Sequence, residues 1–296
     1  MKISILGTNG FLSTSIAQYA NKNGWQLNMY GLDKPLYHKC DNFYQIDLMK
    51  DYPDSAELFN SDIIVYAAGA GIQSNLHEAL DIVYQMNVSV PVRLCNQLKR
   101  NKYNGIFVTF GSVFEMGETK EERAFSENDI IGSTCPAPTD YIVSKRMLSR
   151  FISSYKHDFT HWHFILPTIY GPGENPSRLI PYTINALRKG EHLSFTSGVQ
   201  VRQYVHVSEV PRIIDLSRKK RLPSGVYNIE GKETLTVKEI VNLIHRVMGV
   251  ELSDDSFGST DRTDVGMKYL ALDGSLLRNI IDYKPVVSIE DAIPTY

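Results

Sequence analysis

Short apolar runs alternate with segments of helical periodicity through the first half of this sequence. Such runs lie at residues 2–7 (KISILG), 26–31 (QLNMYG), 62–69 (DIIVYAAG), 104–112 (NGIFVTFGS) and 161–168 (HWHFILPT). A run that is apolar throughout is typical of a strand buried on both faces. Strands that alternate with helices form parallel sheets covered by helices. The pattern therefore predicts an α/β protein with a Rossmann-type, doubly wound parallel sheet.

Helices are predicted between these strands, at residues 11–24, 77–100 and 139–156. Gly24 stands where a glycine commonly closes a helix. After Thr168 the pattern changes to a loop rich in glycine and proline, and the later helices and strands are shorter or less regular.

This change predicts two domains. We expect a dinucleotide-binding Rossmann domain at 1–167 and a smaller C-terminal substrate-binding lobe at 168–296. Segment 199–228 is expected to return in part to the first domain.

Composition argues against several function classes. The chain has 296 residues and a net charge of −2, so nucleic acid is not an expected partner. The three cysteines have no spacing that suits a disulfide framework or zinc, and no metal is expected. The N-terminus lacks a signal-peptide pattern, and no apolar stretch approaches the roughly 20 residues of a membrane span. We expect a soluble, cytoplasmic protein with no membrane partner.

The first strand runs into a glycine-containing turn, GTNGFLS, at residues 7–13. Two glycines let the backbone approach a pyrophosphate, whose charge the following helix N-terminus stabilises. Ser13 replaces the usual third glycine and is small enough for helix–strand packing. The turn predicts a dinucleotide site with contacts from Gly7, Thr8, Asn9, Gly10, Phe11 and Leu12.

The end of the second strand bears on the choice of cofactor. An acid there binds the adenosine ribose and selects NAD over NADP. Gly31 ends the run, and Asp33 and Lys34 follow. If Asp33 holds the ribose, the cofactor is NAD(H); if Gly31 occupies the acidic position, Lys34 can pair with a 2′-phosphate. We favour NADP(H), with NAD(H) as the alternative and a plain turn also open.

A tyrosine and a lysine with helical spacing supply candidate acid–base chemistry. Tyr141 and Lys145 lie one turn apart on one helix face. A nearby ammonium favours the phenolate and is expected to lower the tyrosine pKa, which makes the phenol a usable acid or base. Ser112 closes a strand at the sheet edge where ligands bind, so it can orient a substrate oxygen. Tyr30 and Lys34 have the same spacing, but Gly31 lies between them at a strand end.

Together these motifs resemble the extended short-chain dehydrogenase/reductase family, in particular its NAD-dependent epimerase/dehydratase group, which acts on nucleotide sugars. The resemblance covers nearly the whole chain. The matching segments are GTNGFLS from Gly7, QIDL from Gln45, VYAAG from Val65, YQMNVS around Asn87, VTFGS ending at Ser112, YIVSK from Tyr141, LPTIYGPG from Leu166, VRQYVHVSEV from Val201, GVYNIEGKETLTVKEIV from Gly225 and DRTDV from Asp261.

The resemblance implies a role for each matching position. Ser112, Tyr141 and Lys145 would form the catalytic trio, with Tyr141 and Lys145 also touching the cofactor. Further cofactor contacts would come from Asp47, Leu48, Ala67, Ala68, Gly69, Asn87, Pro167 and Ile169. Substrate contacts would come from Ser112, Phe114, Thr168, Arg178, Arg202 and Arg262. Arg202 and Arg262 would clamp the diphosphate of the sugar nucleotide, since guanidinium groups bind phosphate oxygens bidentately.

Departures from the family pattern narrow the expected chemistry. Dehydratases of the family carry an Asp-Glu pair where this chain has Val113 and Phe114, which cannot transfer protons. The cysteine of epimerases that act at carbons 3 and 5 is also missing there. Ile165, Thr168 and Gln203 replace the usual Arg, Asn and Asp, which puts the sugar-ring contacts in doubt.

Three functions remain. The favoured one is an NAD(P)-dependent reductase of a nucleotide 4-keto-6-deoxy sugar, with Tyr141 as the acid. The alternatives are a nucleotide-sugar 4-epimerase and a non-catalytic dinucleotide-sensing protein of the same fold. By analogy with the family, the helices at 77–100 and 140–156 are expected to pack in a homodimer.

Overall fold

The computed structural model describes residues 1–72, 78–156, 158–252, 256–258 and 267–296. Within these ranges the strands are β1 (Lys2–Leu6), β2 (Gln26–Gly31), β3 (Asn42–Gln45), β4 (Ile63–Tyr66), β5 (Ile106–Ser112), β6 (Thr160–Leu166), β7 (Thr168–Tyr170), β8 (Val201–His206), β9 (Gly225–Asn228), β10 (Glu233–Thr236) and β11 (Tyr269–Leu270). The α-helices are α1 (Phe11–Lys22), α2 (Ala56–Phe59), α3 (Leu80–Tyr84), α4 (Val90–Arg100), α5 (Glu127–Gly132), α6 (Asp140–Ser154), α7 (Leu179–Lys189), α8 (Glu209–Lys219), α9 (Val237–Met248), α10 (Ser275–Ile281) and α11 (Ile289–Ala292).

Seven parallel strands form the larger sheet, in the order β3-β2-β1-β4-β5-β6-β9. The chain builds outward from β1 to β3 on one side and then from β4 to β9 on the other. The order therefore reverses between β1 and β4, which is where ligands bind in this class of fold. This architecture confirms the predicted doubly wound sheet.

Apolar side chains bury both faces of the central strands. Every residue of β4 is buried, as are the last four residues of β1. Helices α1 and α8 cover one face; α4 covers the other, where Leu94 and Leu98 join a second cluster. The continuous apolar runs of the sequence are therefore the core of the molecule.

The second sheet contains the remaining strands and is built around β8. Strands β7 and β11 are parallel to β8, and β10 is antiparallel to it. Although β9 follows β8 in the chain, it pairs with β6 in the larger sheet. The chain thus passes between the two sheets within the segment 199–228, and the domain boundary at residue 167 stays a prediction.

The helix predicted at 77–100 is interrupted. Residue 77 lies outside the described residues, and a π-helical segment, Gln85–Ser89, joins α3 to α4. Asn87 lies in this segment and is buried. Its amide accepts from Ala70 N (3.0 Å) and donates to Ala70 O (2.8 Å) and to Ser144 Oγ (3.0 Å). The π-helical segment thus connects the loop after β4 to α6. The spacing of apolar residues in the sequence does not reveal this role.

Among the described residues, no helix is both long and apolar enough to cross a bilayer. Within the same residues, no group of three or more His, Cys, Asp or Glu side chains is arranged to hold a metal ion.

We predict that Asn87→Ala destabilises the protein by roughly 1–3 kcal/mol, because it leaves the buried N–H and C=O of Ala70 without their side-chain partner and removes the bond to Ser144 Oγ. Chemical denaturation of the purified variant measures the loss. Asn101→Ala is the matched control: its exposed amide bonds only Gln97 O at the helix end, so a change within about 0.5 kcal/mol is expected. Equal losses of stability in the two variants would contradict the role of Asn87 in joining the loop after β4 to α6.

Candidate active site

A cavity of about 300 Å³ opens at the carboxyl ends of β1, β4, β5 and β6. The residues that line it come from the glycine turn, the ends of these strands, α6 and the loop before α7. They are Gly10, Phe11, Leu12, Tyr66, Ala67, Ala68, Gly69, Ala70, Ile72, Phe110, Gly111, Ser112, Phe114, Tyr141, Lys145, Leu148, Leu166, Pro167, Thr168, Ile169, Glu174, Asn175 and Arg178.

The glycine turn forms one end of this cavity. Gly7 has φ +102°, and a Cβ there would lie 3.0 Å from Ala68 N. Only glycine suits such a backbone and such a close approach. Helix α1 begins without a side-chain cap and without an acid in its first turn, so its N–H groups remain available to an anion. The turn therefore fits the pyrophosphate of a dinucleotide.

Gly31 packs against the same turn. A Cβ on Gly31 would lie 2.8 Å from Thr8 Oγ1, so Thr8 fills the space where other chains can carry a side chain. Asn9 holds the next loop by donating to Lys34 O (3.1 Å) and accepting from Leu36 N (2.9 Å). Asp33 and Lys34 are exposed just beyond the strand end.

The rival pair, Tyr30 and Lys34, does not form a site. Tyr30 is buried, stacks on Tyr44 and hydrogen-bonds Ser55, whereas Lys34 is exposed. The glycine between them ends the strand, and the two side chains share no face.

Helix α6 positions the candidate acid–base pair. Thr139 caps the helix by accepting from Ile142 N (3.4 Å), so Tyr141 falls in the first turn. Lys145 lies one turn later, with Nζ 5.9 Å from the Tyr141 ring centroid. It donates to Phe110 O on β5 at 2.9 Å. The predicted pair is thus brought to the cavity wall.

Ser112 meets the pair from the end of β5. Its hydroxyl hydrogen-bonds the Tyr141 phenol and also accepts from Phe114 N at 3.3 Å. Ser112 is the N-cap of a 3₁₀ turn, Val113–Met116, which turns the chain away from the sheet and leaves the hydroxyl facing the cavity. The three predicted catalytic residues therefore converge.

The pKa of Tyr141 differs from the expected direction. Burial raises it to about 12, and the negative charge of Glu115 adds to the rise. The Ser112 hydrogen bond and the Arg178 charge lower it by less. Burial also lowers the pKa of Lys145 to about 8. The expectation that Lys145 sets a low tyrosine pKa was wrong, because burial raises the pKa by more than Ser112 and Arg178 lower it.

Several other predicted contacts lie away from the cavity wall. Asp47 pairs with Lys50 at 3.0 Å, and Leu48 is buried in the core. The side chain of Asn87 is used in bonds to Ala70 and Ser144. Their roles toward a cofactor stay predictions.

Arg202 is the predicted diphosphate-binding arginine that the structure describes. Arg202 bonds Val201 O at 2.8 Å and, with Arg178, opposes the burial that raises the pKa of Tyr204 to about 12. The two guanidinium groups therefore both lie near the phenol of Tyr204. Arg262 lies outside the described residues.

Sequence reasoning missed two groups at the site. Glu174 and Asn175 line the cavity from an irregular loop, where no periodicity marks them. The buried carboxylate of Glu174 bonds the hydroxyl of Tyr296 and lies 3.3 Å from Arg178 Nε. Glu115, buried behind Ser112, was also missed, although the spacing Ser112-x-x-Glu115 is that of a capping box.

Comparison with known proteins identifies the family. The model of the NAD dependent epimerase/dehydratase family matches residues 3–229. The chain belongs to this family. This makes it an enzyme of the short-chain dehydrogenase/reductase type that uses a nicotinamide dinucleotide, as the sequence motifs implied, and argues against a non-catalytic binding protein.

Relatives within the family act on nucleotide sugars by name. A dTDP-glucose 4,6-dehydratase of Streptomyces griseus is 30% identical over 125 residues, which is 42% of this chain but only 38% of that protein. CDP-abequose synthase of Salmonella typhimurium is 28% identical over 269 residues, covering 88% of this chain and 86% of that protein.

A solved structure supports the same fold over the whole chain. UDP-glucuronic acid 4-epimerase of Bacillus cereus, in complex with UDP-glucuronic acid and NAD, superposes with a TM-score of 0.82. The two sequences are 19% identical, and the match covers 99% of this chain and 97% of that one. At this identity the similarity supports the fold alone.

We predict that Gly7→Ala weakens dinucleotide binding more than ten-fold, because the new Cβ collides with Ala68 and closes the turn. Titration of NADH or NADPH fluorescence measures the affinity. Gly24→Ala is the control, since Gly24 also has a positive φ (+66°) but open space around it. It should lose about 1 kcal/mol of stability and keep its affinity. Unchanged binding in Gly7→Ala would argue against this site.

Proposed function

We propose that this enzyme reduces the 4-keto group of a nucleotide 4-keto-6-deoxy sugar, with Tyr141 as the proton donor. The observation that carries the proposal is the arrangement at the cavity wall: the Tyr141 phenol, kept protonated by burial, lies beside Ser112 and Lys145, and the positions after Ser112 are the apolar Val113 and Phe114. A ketone reduction needs one hydride and one proton, and such a wall supplies the proton.

The residues beside Ser112 support a single proton transfer. Val113 is buried in the core and Phe114 lines the cavity, so neither can take part in eliminating water. Among the described lining residues the carboxylate is that of Glu174, and it is engaged with Arg178 and Tyr296. This arrangement disfavours a 4,6-dehydratase.

Each member of the trio has a role in the reduction. When bound, the nicotinamide supplies the hydride. Tyr141 donates its proton to the forming alkoxide, and Ser112 holds the same oxygen through its hydroxyl. Lys145, whose ammonium lies near the ring, stabilises the phenolate that remains. The proton of Tyr141 is present at neutral pH because the pKa lies near 12.

Two cations support binding of a nucleotide diphosphate. Arg178 lines the cavity, and both it and Arg202 lie close enough to Tyr204 to affect its pKa. Guanidinium forks in this arrangement match phosphate oxygens. The 28% identity with CDP-abequose synthase over most of both chains favours a nucleotide-linked deoxy sugar as the substrate class.

For the cofactor we propose NADP(H) over NAD(H). Strand β2 ends at Gly31 and carries no acid there, and Thr8 fills the space beside this glycine. The exposed Lys34 can therefore pair with a 2′-phosphate. Asp33 supports the alternative, and the solved structure named above and a second structure of the same fold are complexes with NAD. Lys34→Ala should raise KM for NADPH and leave KM for NADH unchanged. If Asp33 instead holds the ribose of NAD(H), Asp33→Ala should raise KM for NADH.

A 4-epimerase of the UDP-glucose/UDP-galactose type is the second candidate, since the same trio serves both reactions and several superposed structures are epimerases. An epimerase begins by removing a proton from its substrate, which requires Tyr141 as phenolate. The raised pKa of Tyr141 therefore weighs toward the reductase.

A substrate panel distinguishes the candidates. The reductase should oxidise NAD(P)H stoichiometrically when a nucleotide 4-keto-6-deoxy sugar is added, followed as a loss of absorbance. The epimerase should interconvert UDP-glucose and UDP-galactose, or UDP-glucuronic and UDP-galacturonic acid, without net cofactor consumption. Turnover of none of these would refute both candidates.

We predict that Tyr141→Phe lowers kcat by roughly 10²–10⁴-fold, because the proton donor is lost. Dinucleotide affinity should change little. Tyr19→Phe is the control, since it removes a hydroxyl that bonds Asp215 (3.1 Å) on α8, far from the cavity. Rates measured with saturating cofactor test this, and a Tyr141→Phe enzyme with wild-type kcat would rule out Tyr141 as the acid.

The predicted homodimer remains a proposal. Helices α3 and α6 pack against each other within the chain, and each exposes a large apolar side chain, Leu80 and Met147. Sedimentation of the purified enzyme at micromolar concentration tests this, and a monomer there would oppose it.

A further inference from the structure

A buried chain of hydrogen bonds lies directly behind the catalytic serine. Glu115 has no exposed surface; its Oε1 accepts from Ser112 N at 2.7 Å and its Oε2 from Ser149 Oγ at 2.6 Å. Ser149 contacts His163 Nε2 (2.9 Å), and His163 Nδ1 contacts Thr109 Oγ1 (2.8 Å).

The chain extends to His161, whose Nε2 lies 2.9 Å from Thr109 Oγ1. It therefore links three elements, the end of β5, helix α6 and strand β6. None of Glu115, Ser149, His163, Thr109 or His161 lines the cavity, and all are buried.

The protonation of Glu115 fixes the direction of every bond in this chain. An ionised carboxylate only accepts, so Ser149 donates to it and must accept from His163 Nε2–H. His163 Nδ1 then accepts from Thr109, which in turn accepts from His161. A protonated Glu115 can donate to Ser149, and each later bond can reverse without any movement of heavy atoms.

The surrounding charges make this carboxyl responsive. Burial raises the pKa of Glu115 to about 7 and lowers that of His163 to about 3, so His163 stays neutral while Glu115 changes charge near neutrality. The charges that act on Glu115 are those of Lys145 and Arg146 on α6, and Glu115 in turn acts on Tyr141. His163 faces Glu115 from β6 through Ser149. Farther out, Cys135 acts on Arg146, and Arg178, at the start of α7, acts on Tyr141.

The backbone is shaped to accommodate this group. A Cβ on Gly111 would lie 2.6 Å from Glu115 Oε1 and 2.8 Å from His163 Nε2. The space beside β5 that a side chain would take is thus filled by the side chain of Ile165 together with the carboxyl and the imidazole.

We propose that Glu115 is a positioning residue for the reaction: through Oε1 it fixes Ser112, and through its charge, which depends on the hydrogen bonds along Ser149 and His163, it favours the protonated forms of Tyr141 and Lys145. This inference rests on the proposed function for its catalytic consequence, but not for its electrostatic one. Glu115 charge raises the pKa of both Tyr141 and Lys145.

Two substitutions separate the two effects. Glu115→Gln removes the charge but keeps an oxygen that can accept from Ser112 N, so saturated activity should stay near the wild-type value. Its pH–rate limb for Tyr141 should move to lower pH by on the order of one pH unit. Glu115→Ala also releases Ser112, and kcat should fall by on the order of ten-fold with KM little changed.

Competitive acetylation of lysines, read for each peptide by mass spectrometry over a range of pH, tests the electrostatic effect without substrate. In Glu115→Gln the apparent pKa of Lys145 should fall relative to wild type. Glu127→Gln is the matched control, because Glu127 also has a raised pKa and accepts from a backbone N–H, that of Asn228, but does not act on Lys145.

An unchanged Lys145 labelling profile in Glu115→Gln would overturn the proposal, and so would an equal shift in Glu127→Gln. If wild-type enzyme turns over no nucleotide sugar while the Lys145 shift is present, the proposed function fails and the charge effect of Glu115 stands.

The pH dependence of stability gives a further, independent check. Because the pKa of Glu115 is raised on folding, its stabilising effect is full at pH values below about 4.5 and is lost as the pH rises through about 7. Wild type should therefore lose stability relative to Glu115→Gln across this interval, as measured by urea denaturation. A difference that does not vary with pH would contradict a titrating Glu115.

Discussion

Polar side chains that recur every four residues hold helix α6 against the end of β5 and the turn that follows it. Tyr141 reaches Ser112, Lys145 donates to Phe110 O, and Ser149 donates to Glu115. Positions i, i+4 and i+8 lie on one face of a helix, so a single register of α6 places all three contacts at once. The geometry of the candidate active site follows from this docking.

Parallel strand pairing makes the surface against which α6 packs rigid. Strand β5 is hydrogen-bonded to β4 on one side and to β6 on the other, with Ser112 opposite Leu166 at the last step. A central strand held in this way cannot shift by one residue without turning its apolar side chains to the wrong face. The hydroxyl of Ser112 is therefore fixed before any ligand binds.

Much of this arrangement can be read from the sequence, because buried strands and an amphipathic helix have distinct periods. The strands near 2–7, 62–69 and 104–112 and the convergence of Ser112, Tyr141 and Lys145 were foreseen. Strand β3 was not, since its four residues, NFYQ, are polar at both ends and lie at a sheet edge. The π-helical segment was missed for a related reason, because one inserted residue does not disturb a helical pattern enough to be seen.

The missed polar groups share a different cause. Glu115 and Glu174 are charged residues that are buried in the fold, whereas charged residues are ordinarily expected at the surface. Their burial depends on partners far along the chain, Ser149 for Glu115 and Tyr296 for Glu174. The same long-range burial explains the pKa of Tyr141, since the strength of desolvation is a property of the packed structure and not of the spacing between two residues.

Gly111 links the side chains of Glu115 and His163, which lie far apart in the sequence. Its bare backbone leaves a pocket in which a carboxyl and an imidazole from different elements sit side by side. A Cβ at position 111 would also meet the side chain of Ile165, so a larger residue there would require changes among Ile165, Glu115 and His163. These four positions should therefore vary together in evolution.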